Sequence, residues 1–216
     1  MRIEYLLVCL SVTHIFCLKL SLLDTITWWD LLVLSNEQFE DIDDSAPEFT
    51  DARDRLMQRV GLYGLHERYK IEGDGNCQFA AIADQLMYLK HPQQCSAQQV
   101  RRLAVKWLVK NSKHKLANKS TLDEYMYDGE SYAKYCKRMA GDKIWGDHLT
   151  LYAISNVFGV HITLVSSVEG DQFITTITPA DNPRAGEFVL LLSHLAEFHY
   201  GSLYPAGLYN HPMFWG

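Results

Sequence analysis

Residues 70–86, KIEGDGNCQFAAIADQL, decide how the chain is read. The segment has the pattern of a strand end, a tight turn and then a helix that opens on a cysteine. Gly73 and Gly75 flank Asp74 and let the backbone reverse sharply. Beyond them, CQFAAIADQLMYL places Phe79, Ile82, Leu86 and Leu89 along one stripe, the signature of an amphipathic helix. Cys77 therefore falls at a helix N-terminus. Backbone N–H groups and the helix dipole stabilise negative charge there, so a thiol in this position is expected to have a depressed pKa. The same N–H groups, in the turn from Gly73 to Cys77, can hold the oxyanion of a tetrahedral intermediate. A small buried residue after a turn would leave the same trace, so the remainder of the chain has to decide.

Outward from this segment the periodicity alternates in type. DARDRLMQRVGLYGL carries Leu56, Met57 and Val60 at helical spacing, and ERYKIEG reads as a short strand. SAQQVRRLAVKWLVKN opens with a capping box, Ser96 with Gln99, and lines up Val100, Leu103, Ala104, Trp107 and Leu108. LDEYMYDGESYAKYCKRMAG suggests two short helices broken near Gly129. GDHLTLYAISNVFG starts at Asp147, a good N-cap, and stops at Gly159, a good residue for a helix C-terminus. VHITLVSS, QFITTITP, EFVLLLSH and EFHYGSLY then read as strands rich in β-branched and aromatic residues. Helices first and a sheet after them predict an α/β (α+β) domain with helices packed on one mixed sheet.

Upstream, residues 35–51 belong to an acidic stretch interrupted by Pro47 and read as a linker, with the compact domain expected over 52–216. Residues 1–34 form an apolar segment of unassigned role. Its first 23 residues are broken by Thr13, His14 and Lys19, which disfavours a membrane span, and they end in bulky residues with no A-x-A cleavage pattern. Net charge is −6, so nucleic acid is not the expected partner. Five scattered cysteines without a CxxC pair fit a reducing compartment, and no HExxH or comparable spacing points to a metal.

A nucleophilic Cys77 needs a base, and nine histidines are available. Periodicity does not choose among them. His199 is attractive because EFHYGSLY is a strand, which would hold it rigidly. His148, just inside a helix, is the decoy, with capping as its bland explanation.

Three stretches together, GDGNCQFAAIADQL, WGDHLTLYAISNVFGV and EFHYGSLYPAG, resemble the ovarian tumour (OTU) domain cysteine proteases. These are deubiquitinases with a papain-like active-site arrangement. The chain is most like the small plant members, whose pattern runs G-D-G-N-C-Q-F-R, then W-G-D-H-V-T-L-Q-A, then E-V-H-Y-N-S. The resemblance covers roughly residues 50 to 216, from the helix before the motif to the aromatic ending FWG. It implies a papain-like fold, Cys77 as nucleophile, His199 as general base and Asp74 as the acidic position of the D-G-N-C turn. It implies ubiquitin or polyubiquitin conjugates as substrate, no cofactor, a monomer, and work in cytoplasm or nucleus. WGDH, residues 145–148, matches a family segment near the substrate side, although a tryptophan packed over a helix start with Asp147 as cap explains it equally well.

Two positions depart from the family pattern. Ala80 replaces an arginine, an expected loss of one peripheral contact. Gly201 stands where many members carry Asn or Asp two residues after the histidine. Two residues is one strand period, so that side chain would share a face with His199 and orient its imidazole. Losing an orienting group costs up to ~10⁴-fold in other triads. The candidates to take over that role are Glu197, on the other side of His199 on the same strand, a water, or a group from another loop. Gly201 thus raises the alternative of a weakened or inactive ubiquitin-binding module, with Gly201→Asn as the restoring change.

Overall fold

The computed structural model describes residues 47–116, 118–126, 129–180 and 188–208. The apolar segment 1–34, most of the expected linker and the aromatic ending lie outside these residues. Five helices and five strands follow in the order α1 (Pro47–Leu62), β1 (Leu65–Glu67), α2 (Cys77–Tyr88), α3 (Ala97–Lys110), α4 (Tyr132–Met139), α5 (His148–Phe158), β2 (His161–Ser166), β3 (Ile174–Ile177), β4 (Val189–Leu195) and β5 (His199–Pro205). Short 3₁₀ turns sit at Leu122–Glu124 and Ala206–Leu208. The strands form one mixed sheet in the order β1-β5-β4-β2-β3. Only β2 and β4 run parallel; the other neighbours are antiparallel. This is the expected α/β architecture.

Capping residues fixed the helix ends as read. Ser96 and Gln99 form the capping box of α3, Asp147 caps α5 through the Thr150 N–H, and Gly159 ends α5 at φ 65°. Gly129, between the two short helical pieces, also has positive φ. Two boundaries differ. Helix α1 begins at Pro47, five residues before the expected domain start. Phe49 explains this: it is buried with Ala52, Leu56 and Val60 against Leu65, Val165, Leu195 and Leu203, and its ring meets Phe198 edge-on. Proline at the first helical position costs no hydrogen bond. The strand expected over ERYKIEG is instead Leu65–Glu67. Its register pairs Leu65 with Pro205 and Glu67 with Leu203, after which the chain leaves the sheet edge toward Cys77.

The two sheet faces are covered differently. Helix α1 packs on the face of Val165, Leu195 and Leu203. Its Arg59 donates to the carbonyls of Ser166, Val168 and Gly170 at 2.7, 2.6 and 2.9 Å, and its Arg55 to that of Ser167 at 2.7 Å. Helix α2 packs on the other face, where Ser202 donates to Asp84 at 2.6 Å and Tyr204 also bonds Asp84. Alternation along β5 then puts Tyr200, Ser202 and Tyr204 toward α2, and His199, Gly201 and Leu203 toward the α1 face.

A side chain wedges the sheet where β4 and β5 part. Their ladder runs from Leu195↔His199 to Leu192↔Ser202. One more step would set Leu191 opposite Leu203. Instead the Leu191 N–H donates to Gln85 Oε1 at 3.0 Å and Gln85 Nε2 donates to the Leu203 carbonyl at 2.8 Å. Gln85, 1% exposed, thus takes both backbone groups that the missing pair would have satisfied. The Gln85→Leu variant keeps the volume but strands both groups. We expect urea unfolding to show a loss on the order of 3 kcal/mol.

Candidate active site

The Gly73–Cys77 turn is held from several sides. Asp74 Oδ1 accepts the Asn76 N–H at 2.9 Å, a side chain folding the backbone onto itself. Asn76 Nδ2 donates to Asp74 Oδ2 at 3.2 Å and to Asp142 at 3.1 Å. Asn76 consequently makes no side-chain cap to α2, which keeps the first-turn N–H groups available to an anion. Arg101 of α3 closes the turn from beneath. Its Nη2 donates to the Gly75 carbonyl at 3.0 Å, Asn76 Oδ1 at 2.7 Å and the Ile144 carbonyl at 2.6 Å, and Nη1 donates to the Met139 carbonyl at 3.2 Å. Its guanidinium carbon lies 4.0 Å from the Phe79 ring centroid. The expected α3 stripe omitted Arg101 because it is charged. The residues buried are Val100, Arg101, Ala104, Val105 and Leu108, so position in the stripe was the signal.

Cys77 is 5% exposed at the first position of α2. Burial pushes its thiol above the ordinary value; N–H groups of Tyr200, Gln78 and Cys77 itself pull down, while the Asp74 carboxylate adds to the rise. The net direction is upward, against the depressed pKa expected from the helix start: desolvation of a thiolate this deep outweighs a few backbone donors. For Asp74, burial acts upward, but the Asn76 donors and Lys143 outweigh it and hold the carboxyl below its usual value.

His199 opens β5, half-buried. The next residue, Tyr200, gives its N–H to the Cys77 sulfur. A Cβ built on Gly73 would stand 3.9 Å from His199 Nδ1. These two approaches bring Cys77, Asp74 and His199 into one site from the start of α2 and the start of β5. Burial lowers the His199 pKa; Glu67 pulls it up, and Lys70 and Arg53 lower it further.

His148, the decoy among the histidines, opens α5. Burial holds its imidazole down to about 4, and it lies close enough to His194 for the two to repel when charged. The neighbouring Asp147 caps α5 and accepts the Tyr135 hydroxyl at 2.9 Å. Gln78, 1% exposed, ties the WGDH segment to α2: it donates to the Asp147 carbonyl at 3.2 Å and accepts from Thr150 at 2.7 Å. Its place in the α2 stripe next to Phe79 was hidden by polarity. Among the described residues no group of three or more His, Cys, Asp or Glu is placed to hold a metal.

The two departures resolve differently. Ala80 is half-buried on α2. Glu197 does not substitute at position 201, because it stands exposed in the β4–β5 turn at φ 66°, off the strand. Nor would Gly201→Asn restore a side chain simply: a Cβ at 201 would fall 2.4 Å from Glu67 Oε1 and 2.4 Å from Ser193 Oγ. The space is filled.

The two turn glycines separate cleanly. At Gly75, φ is 82° and a Cβ would meet the Lys143 carbonyl oxygen at 2.0 Å. At Gly73 the nearest atom would be 3.9 Å away. We expect Gly75→Ala to lower the melting temperature sharply, at a cost of several kcal/mol, and Gly73→Ala to melt close to the parent. Calorimetry of the two variants checks this.

With this geometry in view, the comparisons fall into place. The family described as OTU-like cysteine protease matches residues 72–200. In Arabidopsis thaliana, ovarian tumor domain-containing deubiquitinating enzyme 12 is 38% identical over 161 residues, covering 73% of this chain and 66% of that protein. Enzyme 9 of the same series is 33% identical, covering 76% of this chain and 42% of that protein. The chain therefore spans about two fifths to two thirds of these curated relatives. Among solved structures, the OTU domain of OTUD1 superposes with TM-score 0.51 at 18% identity, covering 72% of this chain and 95% of that one. An OTUB1 complex with ubiquitin aldehyde and UBC13~Ub gives TM-score 0.51 at 14% identity, covering 82% and 87%. These two share the fold. From the matched residues and the relatives together, the chain belongs to the OTU-like cysteine protease family.

Proposed function

We propose that the chain is a thiol-dependent deubiquitinase that hydrolyses (iso)peptide bonds at the C-terminal glycine of ubiquitin. The observation that carries this is the meeting of the Cys77 sulfur with the start of β5, where Tyr200 donates to it beside His199. Membership of the family, and relatives named as deubiquitinating enzymes, supply the substrate class.

The thiol is raised and the imidazole lowered, so at neutral pH the resting pair is neutral. His199 then acts as a general base during attack, without a standing thiolate. It takes the Cys77 proton as sulfur bonds to the glycine carbonyl carbon. The oxyanion is received by N–H groups of the Gly73–Cys77 turn and first turn of α2. Collapse breaks the C–N bond, and His199 returns the proton to the departing lysine amine. Water, deprotonated by His199, attacks the thioester, and protonated Cys77 is regenerated. Asp74 shapes the turn through Asn76 and touches neither reacting atom in this scheme. The reaction needs no cofactor.

Incubation with ubiquitin bearing a C-terminal thiol-reactive warhead tests the proposal. An adduct one ubiquitin heavier, absent in Cys77→Ser, is expected; no adduct with the parent protein rejects it. The pH dependence follows from the same two groups. Because the folded His199 pKa is lowered, the acidic limb of kcat/KM should lie below pH 6.5. The basic limb should lie above pH 9, since the thiol is raised. Cleavage of a fluorogenic ubiquitin amide across pH 5 to 10 measures both limbs.

A further inference from the structure

Gly201 removes the side chain that would orient His199 on its own strand, yet the position is not empty. The carboxylate of Glu67 occupies it: an ideal Cβ at 201 would lie 2.4 Å from Glu67 Oε1 and 2.9 Å from Glu67 Cδ. Glu67 reaches there from β1. It pairs with Leu203 of β5, so its side chain lies on the face of Leu203, Gly201 and His199. Gly201 is the diagonal neighbour of Glu67, within reach of a long side chain across a sheet. On the other flank, Gly201 pairs with Ser193 of β4, whose hydroxyl donates to Glu67 Oε1. A glycine is what leaves the channel open between the two strands.

We propose that Glu67 is the positioning residue of His199, supplying from β1 the carboxylate that residue 201 cannot. His199 Nδ1 lies on the Gly73 side of the ring, toward the turn that ends in Cys77. Nε2, the far nitrogen, is left to carry the proton, and the Glu67 carboxylate acts on the ring through its charge, without a direct hydrogen bond in this structure. With Nε2 protonated, neutral His199 presents an unprotonated Nδ1 to the thiol, the tautomer a base requires. Glu67 then stabilises the imidazolium formed when the thiol proton moves. The electrostatics agree: among the groups acting on His199, Glu67 favours the charged ring, whereas burial, Lys70 and Arg53 oppose it. Ser193 fixes the carboxylate, and Gly201 makes room for it. Gly201 is thus half of a relocated orienting pair and gives no ground for reading the chain as an inactive binding module.

The inference rests on the deubiquitinase reading for its kinetic arm only. The first readout needs no substrate: His199 is followed by NMR of the ¹⁵N-histidine-labelled protein through a pH titration. Glu67→Gln keeps shape and an acceptor for Ser193 but removes the charge. We expect His199 to titrate at lower pH than in the parent, with its tautomer balance shifted. The second readout is cleavage of a fluorogenic ubiquitin amide, where kcat should fall on the order of 10²-fold with KM little changed. The third is a double variant. Gly201→Asn alone should impair activity, because Asn and Glu67 compete for one space. Glu67→Ala alone should impair it too, and Glu67→Ala/Gly201→Asn should outperform both singles. An unchanged His199 titration in Glu67→Gln, or a folded double variant no better than Glu67→Ala, overturns the proposal. Should Glu67→Gln fail to fold, the double variant decides by the same criterion. Should the parent protein cleave no ubiquitin substrate, the proposed function falls, and the His199 titration still judges Glu67.

Discussion

Everything at this site depends on where α2 lies along β5, and Gln85 sets that. The helix meets the strand at two places. At one end the Tyr200 N–H reaches the Cys77 sulfur. Two turns further on, Gln85 bonds Ser202 and the Leu203 carbonyl, both at 2.8 Å. Eight helical residues rise about 12 Å and three strand residues about 10 Å, so the two spacings nearly match. A helix pinned at both points cannot slide along the strand without breaking one of them. Gln85 has this hold because β5 changes partner at Leu203, leaving β4 for β1. The amide fills the opening, and the buried backbone groups exposed by the split are what it satisfies.

The turn before Cys77 is held by a different economy. Arg101 is 4% exposed, and an isolated charge in that position would be heavily penalised. It is tolerated because three backbone carbonyls and the Asn76 amide oxygen accept from it, and because Phe79 lies beneath its plane. Those carbonyls belong to Gly75, ahead of α3 in the chain, and to Met139 and Ile144, behind it. Gly75 completes the arrangement by letting the Lys143 backbone approach where a Cβ would stand. The N–H groups proposed to receive the oxyanion are therefore fixed by α3 and by the loop ahead of α5, not by the turn alone.

This division explains what could be read from the sequence. Helix stripes, caps and alternating strands are local patterns, so α2, α3, α5 and the sheet were legible from Phe79–Ile82–Leu86, Ser96–Gln99, Asp147 and Gly159. Cys77, Asp74 and His199 became candidates together only because three motifs stood in a family's order; nothing in the spacing of His199 marks it above the other histidines. What stayed hidden was polar and long-range. Arg101, Gln78 and Gln85 sit at buried stripe positions where polarity argues for exposure. Their partners lie 25 to 118 residues away, beyond any periodic signal. The rise of the Cys77 thiol was missed for the same reason. A helix N-terminus is visible in sequence, whereas the depth at which it is buried is a property of the whole fold.

Glu67 is the instructive case. A strand period links His199 to residue 201, so reading along one strand ends at a glycine and at an apparent loss. A sheet has a second coordinate, across its strands, and β1 brings a carboxylate to the same point from that direction. The substitution has a structural consequence. A side chain at 201 would depend only on β5, which lies inside the sheet between β1 and β4. Glu67 sits on a three-residue edge strand, so the orientation of His199 depends on the β1–β5 pairing. That pairing is backed by α1, whose Leu56 and Val60 share a core with Leu65 and Leu203. The helix is distant in sequence from the histidine and makes no claim on the reacting atoms. By holding β1 in register, it sets where the carboxylate proposed to position His199 lies.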